Sequence, residues 1–225
     1  MGIISLEKVD HLFWLGRYTE RVFTTLRMFN QYFDLMIDKD VEAYKPYCEK
    51  LSIPDIYLDK DDFIERYLFD GENPDSLYSN LKRAYDNAIV MREELSSDVL
   101  AYIQLSLDVM AASQKATAPL LELQKVVDYL FAFWGSVDDY VDNEECRNIM
   151  KCGKYVERLD LYMRFESDFL HLEKEFSKLI NRLNRVHIGY SIDKLARLTE
   201  IINKQDGWKE DSVEALALLG AVIEV

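Results

Sequence analysis

Glycine and proline are scarce, with 8 and 4 in 225 residues. Sheet-rich folds need frequent turns, and turns draw on both residues, so the scarcity argues against an all-β fold and favours long helices. Cysteine is rarer still: Cys48, Cys146 and Cys152 only. An odd number without paired spacing makes no disulfide framework, and Cys146 and Cys152 are too far apart for a CxxC redox or zinc site. They read as ordinary thiols in a reducing compartment, the cytoplasm. The amino terminus, MGIISLEKVDH, has no basic region followed by an apolar run, so no signal peptide is expected. No stretch approaches the roughly 20 apolar residues that span a bilayer. Basic residues are outnumbered, 27 Lys and Arg against 41 Asp and Glu, for a formal net charge of −14. Such a surface repels a phosphate backbone and an anionic membrane, so neither nucleic acid nor membrane is an expected partner. A basic protein partner is compatible with it, as is solubility alone. There is no Gly-rich phosphate loop, and His11 and His187 stand without the neighbours of a nucleophilic triad. No cofactor is expected.

What is present suits a packed helical protein. Hydrophobic residues make up 49% of the chain, enough for a substantial core. The length suits one core or two small bundles, and without a linker-like segment residues 1–225 read as one domain. Helical periodicity runs from a cap at Ser5 to about Asp38. A short helix follows Asp40, Pro46 and Pro54 bracket an irregular segment, and a helix runs from about Asp61 to Gly71. Asn73-Pro74 reads as cap and first turn of the next helix, through residue 95. Ser96 or Ser97 caps another, Pro119 opens a further one, and Asn143 caps a long helix from Glu144 to about Val186. Two short helices, 191–204 and 209–223, complete an all-α bundle.

One motif occurs twice. Residues 14–28 read WLGRYTERVFTTLRM and residues 151–165 read KCGKYVERLDLYMRF. Gly16, Tyr18, Glu20, Arg21 and Arg27 align with Gly153, Tyr155, Glu157, Arg158 and Arg164, and Arg17 aligns with Lys154. On a helix, Val9, Phe13, Gly16, Glu20, Phe23 and Arg27 share a stripe, widened by Leu12, Leu15, Thr19, Val22, Leu26 and Phe29. Arg17 and Arg21 fall nearer the polar side. A glycine inside a helix costs about 1 kcal/mol, so Gly16 suggests a close helix approach. Charges on an apolar arc are costly unless paired. A pseudo-twofold arrangement would pair Glu20 with Arg164 and Glu157 with Arg27, and Asp160 shares the second stripe. The residues support two readings: a structural ion-pair network, or a polar pocket with Glu20 or Glu157 as general base. Arg83, Asn87, Arg92 and Glu94 would add anion- or amide-binding groups to such a pocket, or form a surface network.

Two further clusters carry less. Asp138, Asp139 and Asp142 spell DDxxD, a magnesium-binding pattern, but no facing acidic cluster accompanies it, and Asp142 or Asn143 serves as a helix cap. Asp168, His171 and Glu175 share a face without the second Glu-x-x-His unit of a di-iron bundle and read as a solvated face.

Three blocks together resemble the bacterial alpha-E domain family. They are W-L-G-R-Y-x-E-R at Trp14–Arg21, G-K-Y-x-E-R at Gly153–Arg158 with Lys154 in place of Arg, and an intervening L-F-D-x-x-N-P-x-S block. The last comprises Leu68, Phe69, Asp70, Asn73, Pro74 and Ser76, followed by Arg83, Asn87, Ala88 and Arg92. The match is strongest over 1–165; family members are usually longer, so part of the carboxy-terminal region is expected to be missing. The resemblance implies an all-helical protein associated with ATP-grasp and transglutaminase-like proteins in peptide synthesis or modification. It implies a functional role for the motif glutamate, with Glu20 and Glu157 as the candidate catalytic groups; from the repeat and its neighbours, Arg17, Tyr18, Arg21, Arg27, Asn87, Arg92, Lys154, Tyr155, Arg158, Asp160 and Arg164 are the candidate binding groups. A helical scaffold and a stand-alone enzyme are the alternatives.

Overall fold

A computed structural model describes residues 4–224. The chain is all-α: α1 Leu6–Asp38, α2 Tyr44–Leu51, α3 Lys60–Phe69, α4 Leu77–Val90, α5 Ser97–Ser113, α6 Pro119–Glu122, α7 Gln124–Tyr140, α8 Glu144–Arg164, α9 Phe169–Leu183, α10 Ile192–Ile202 and α11 Ser212–Ala221, with a 3-10 helix at Gln205–Asp211 before α11. Among the described residues the β pairing is an isolated antiparallel bridge between Tyr190 and Ile223. The chain forms two compact units, one of residues 1–17 with 143–225 and the other of residues 18–142, so α1 contributes to both.

In the first unit α8 is buried on nearly every side: Ile149, Met150, Cys152, Val156, Leu159, Leu161 and Met163 are all enclosed. Its start is fixed by Asn143, whose side chain accepts from the backbone N–H groups of Glu145 and Cys146. α9 packs on α8 through Leu172, Phe176, Leu179 and Leu183, spaced at helical period so that one face is apolar. α11 packs on α10 and α8, and the 3-10 turn supplies the fully buried Trp208.

The second unit packs α5 against α4 and α7, and α3 against α4. α7 buries Val126, Val127, Leu130, Phe133, Trp134 and Val137. An aromatic cluster joins the later turns of α1 to α2 and α3. Phe29, Tyr47, Phe63 and Tyr67 stack or meet edge-on at 5.1–6.1 Å. The Tyr47 and Tyr67 hydroxyls lie 3.3 Å apart. Burial raises the pKa of both phenols.

Four expectations about the elements need correction. The helix expected from 144 to 186 is two. Glu166 adopts a left-handed conformation (φ 52°), with Ser167 N–H bonded to Tyr162 O and Glu166 N–H to Met163 O. This pattern closes a helix end, and Asp168 then caps α9 by accepting from His171 N–H. The cap of α4 is Ser76, not Asn73. Ser76 Oγ accepts from Ser79 N–H and donates to Asp70 O, while Asn73 Oδ1 accepts from Asp75 N–H in the turn before it. α4 ends at Val90, five residues short of the expected end. Pro46 lies inside the first turn of α2, where its missing N–H has no intrahelical partner to lose.

All three cysteines are free of disulfides and buried. Burial pushes the Cys48 and Cys152 thiols up to about 12, which leaves about one part in ten thousand as thiolate at pH 8. Native protein is therefore expected to resist iodoacetamide. Mass spectrometry should find all three labelled only after denaturation, and labelling of Cys48 or Cys152 in the folded protein would contradict their placement.

Candidate functional site

The two motif glycines mark where α1 meets α8. A Cβ placed on Gly16 would lie 2.0 Å from the Met150 carbonyl oxygen and 3.1 Å from Lys154 N. A Cβ placed on Gly153 would lie 2.1 Å from the Phe13 carbonyl oxygen and 3.1 Å from Arg17 N. Met150 and Lys154 stand in the second copy where Phe13 and Arg17 stand in the first, so the contact is reciprocal. Exchanging the copies maps it onto itself. At each glycine a Cα–H takes the Cβ direction and points at the facing carbonyl, a weak but favourable contact that any side chain would abolish. The pseudo-twofold relation expected from the repeat is present at this crossing.

The crossing brings Arg17 to Glu157. Arg17 Nε donates to Glu157 Oε2 at 2.7 Å; the Glu157 side chain is fully buried and that of Arg17 is 14% exposed. The Arg17 guanidinium also lies 5.0 Å from the Trp14 ring centroid and 6.0 Å from that of Phe13, so its desolvated face meets aromatic quadrupoles. This corrects two expectations. The partner seen for Glu157 is Arg17, not Arg27, and Arg17 is not a polar-side residue. The reason is distance along the helix: Arg17 adjoins the crossing at Gly16, and Arg27 lies roughly 15 Å further along α1.

Arg158 points elsewhere. Its Nη1 donates to Glu175 Oε2 at 3.3 Å, and Glu175 also receives Lys178 Nζ at 2.7 Å. Glu157 and Arg158, adjacent in sequence and about 100° apart around the helix, thus fasten α8 to α1 and to α9. Glu175 is buried, so the solvated face expected for Asp168, His171 and Glu175 holds for His171 and Asp168, which bond each other in the open, and fails for Glu175. The missed signal is its place on the Leu172–Phe176–Leu179 stripe.

In the first copy Glu20 is also fully buried and accepts from Thr24 Oγ1 at 2.5 Å. Arg21 is half-buried, and its charge opposes the effect of burial on the Tyr67 hydroxyl. The motif tyrosines are treated alike. Arg83 lies over the Tyr18 ring at 5.7 Å, and Lys178 over the Tyr155 ring at 5.7 Å. Lys154 is half-buried beside Gly153. Arg164 donates through Nε to Asp160 Oδ2 at 2.6 Å, one turn back on its own helix. Arg27 is exposed and lies over the Phe23 ring at 5.4 Å.

Asn87 bonds Arg83 O on its own helix, and Arg83 Nη1 reaches Pro74 O at 2.9 Å. Arg92 is exposed beyond the end of α4. Asp138 and Asp139 end α7, and Asn143, not Asp142, caps α8. Among the described residues no group of three or more His, Cys, Asp and Glu side chains is gathered to hold a metal ion. Among the same described residues no helix is long and apolar enough to cross a membrane.

No curated protein and no solved structure matches this chain. One family does, Alpha-E, described as a predicted alpha-helical domain with a conserved ER motif. The Glu-Arg pair stands at Glu20-Arg21 and Glu157-Arg158 in the repeat and again at Glu65-Arg66 in α3. The match runs over residues 8–205, past the limit near 165 where the sequence blocks thin out. The chain belongs to the Alpha-E family.

Proposed function

We propose that this chain is a non-catalytic helical component of a bacterial, cytoplasmic peptide-synthesis or peptide-modification system. It works beside an ATP-grasp ligase and a transglutaminase-like protein, and its repeated motif fastens helices instead of performing chemistry. The partnership rests on the resemblance of the three sequence blocks. The non-catalytic role rests on one observation: the Glu157 carboxylate is fully buried and already bonded to Arg17. A general base must reach the proton it removes, and a carboxylate sealed between packed helices is better suited to holding them. ATP chemistry would come from the ligase, since this chain has no phosphate loop.

The test is reconstitution. The purified chain is mixed with the ATP-grasp protein of the same organism, and complex formation is followed by analytical ultracentrifugation and peptide products by mass spectrometry. The proposal expects a complex, product that depends on both proteins, and none from this chain alone. Failure to form a complex would overturn the partnership; turnover of peptide by this chain alone would overturn the non-catalytic role.

A further inference from the structure

The second unit carries an open groove of about 300 Å³ lined by Val41, Glu42, Tyr44, Leu58, Asp59, Lys60 and Asp61. It lies between the segment that enters α2 and the segment that enters α3. Two of its apolar residues are displayed, Leu58 at 89% exposure and Val41 at 61%, while Tyr44 forms a buried wall. Single exposed apolar residues are ordinary; two that share a concave surface are less so. Glu42, Asp59 and Asp61 supply three carboxylates around it against two ammonium groups, Lys60 at 3.8 Å from Asp61 and Lys45 bonded to Glu42, which leaves one carboxylate in excess.

Local structure fixes these groups. Asp59 is the cap of α3 and accepts from Asp61 and Asp62 N–H. Leu58 N–H is held by Asp62 Oδ2 at 2.9 Å, which holds the Leu58 backbone in place on the surface. Glu42 N–H is held by Asp40 Oδ1 at 2.9 Å. Lys45 bonds Glu42 at 2.6 Å and lies 5.9 Å from the Tyr44 ring centroid, so a cation resting beside this wall is already part of the surface.

We propose that this groove docks a short extended peptide segment carrying one apolar side chain flanked by Lys or Arg. The apolar side chain would pack on Val41, Leu58 and Tyr44, and the flanking cations would meet Glu42, Asp59 and Asp61. The volume is at the low end of the roughly 300–1,000 Å³ typical of ligand sites, which suits one or two side chains. Charge selects the occupant. The formal net charge of −14 draws cationic segments toward the chain and opposes a second copy of it. This inference stands on the groove alone and does not require the ligase partnership.

The experiment is an NMR titration of the full chain in about 0.15 M salt, where longer-range attraction is screened. Three peptides are compared: acetyl-Gly-Arg-Leu-Arg-Gly-amide, its Glu-Leu-Glu counterpart and its Arg-Gly-Arg counterpart. The Arg-Leu-Arg peptide is expected to shift the amides of Val41, Glu42 and Leu58 to Asp61, with Kd about tenfold below that of either control. Leu58→Ser, a change at an exposed position, should raise that Kd by about tenfold while the helical circular dichroism stays the same. Equal binding of Arg-Leu-Arg and Arg-Gly-Arg peptides would reduce the effect to charge alone and overturn the proposal. So would shifts outside the groove, no binding, or dimerisation through this face in sedimentation velocity.

Discussion

Alanine at Gly16 or Gly153 is expected to lower the melting temperature by about 2–8 °C. The added methyl group would sit 2.0–2.1 Å from a backbone carbonyl oxygen of the facing helix, and backbone cannot swing aside as a flexible side chain can. The helices must separate, and overpacking of this kind costs about 1–3 kcal/mol or more. Alanine recovers up to about 1 kcal/mol through its better helix propensity, so from the upper part of that range the net loss is about 1–2 kcal/mol. In a chain of this length each kcal/mol is worth about 2–4 °C. Gly135 and Gly220 provide the controls. Neither has anything within 4 Å of the Cβ position, so alanine there should leave the melting temperature unchanged or raise it. If all four substitutions behave alike, the close crossing is refuted.

Glu157→Gln is expected to cost more than any other single change in the motif. The amide keeps the shape but loses the charge, leaving Arg17, 14% exposed at its side chain, without its carboxylate partner. Removing one partner of a desolvated pair typically costs about 3–5 kcal/mol. The Trp14 and Phe13 rings retain part of the Arg17 interaction, so a loss near 3 kcal/mol is expected, about 6–12 °C in melting temperature. Lys45→Gln makes the contrast. Its bond to Glu42 is an i,i+3 pair with the two side chains 44% and 63% exposed, and its loss should leave the melting temperature nearly unchanged. Thermal melts followed by circular dichroism read both. A Glu157→Gln protein as stable as wild type would favour a pocket whose carboxylate is held at the expense of stability.

The sequence was a good guide where residue type alone sets structure. The limits of α1 followed from the cap at Ser5 and an unbroken apolar period. Ser96, Asn143 and Ser191 all cap helices as their types suggest. The close approach at Gly16 was legible because a glycine in a helix interior needs a reason. Other features were hidden for physical causes. The break after α8 turns on Glu166 in a left-handed conformation usually taken by Gly or Asn, so no local signal marked it. Asn73 and Ser76 are both good caps, and the outcome depended on Ser76 also reaching Asp70 O, a tertiary contact.

The candidate site divided in the same way. Which residues form the motif could be read from the repeat. Which of them pair could not, because equal spacing of Glu and Arg in the two copies suggested Arg27, whereas the crossing point selects Arg17. Burial of Glu175 and its bond to Arg158 followed from the packing of α9 on α8, which depends on the unseen break. The doublet Glu157-Arg158 therefore looked like one charged patch in the sequence and acts as two separate fastenings in the fold.

The central claim is that the Arg17–Glu157 contact is a structural fastening. A double-mutant cycle measures it most directly, using wild type, Arg17→Met, Glu157→Gln and the double variant in urea unfolding. The account predicts a coupling energy of about 2 kcal/mol or more, with the double variant more stable than the sum of the single losses would allow. A coupling near zero, with both single variants as stable as wild type, would contradict it.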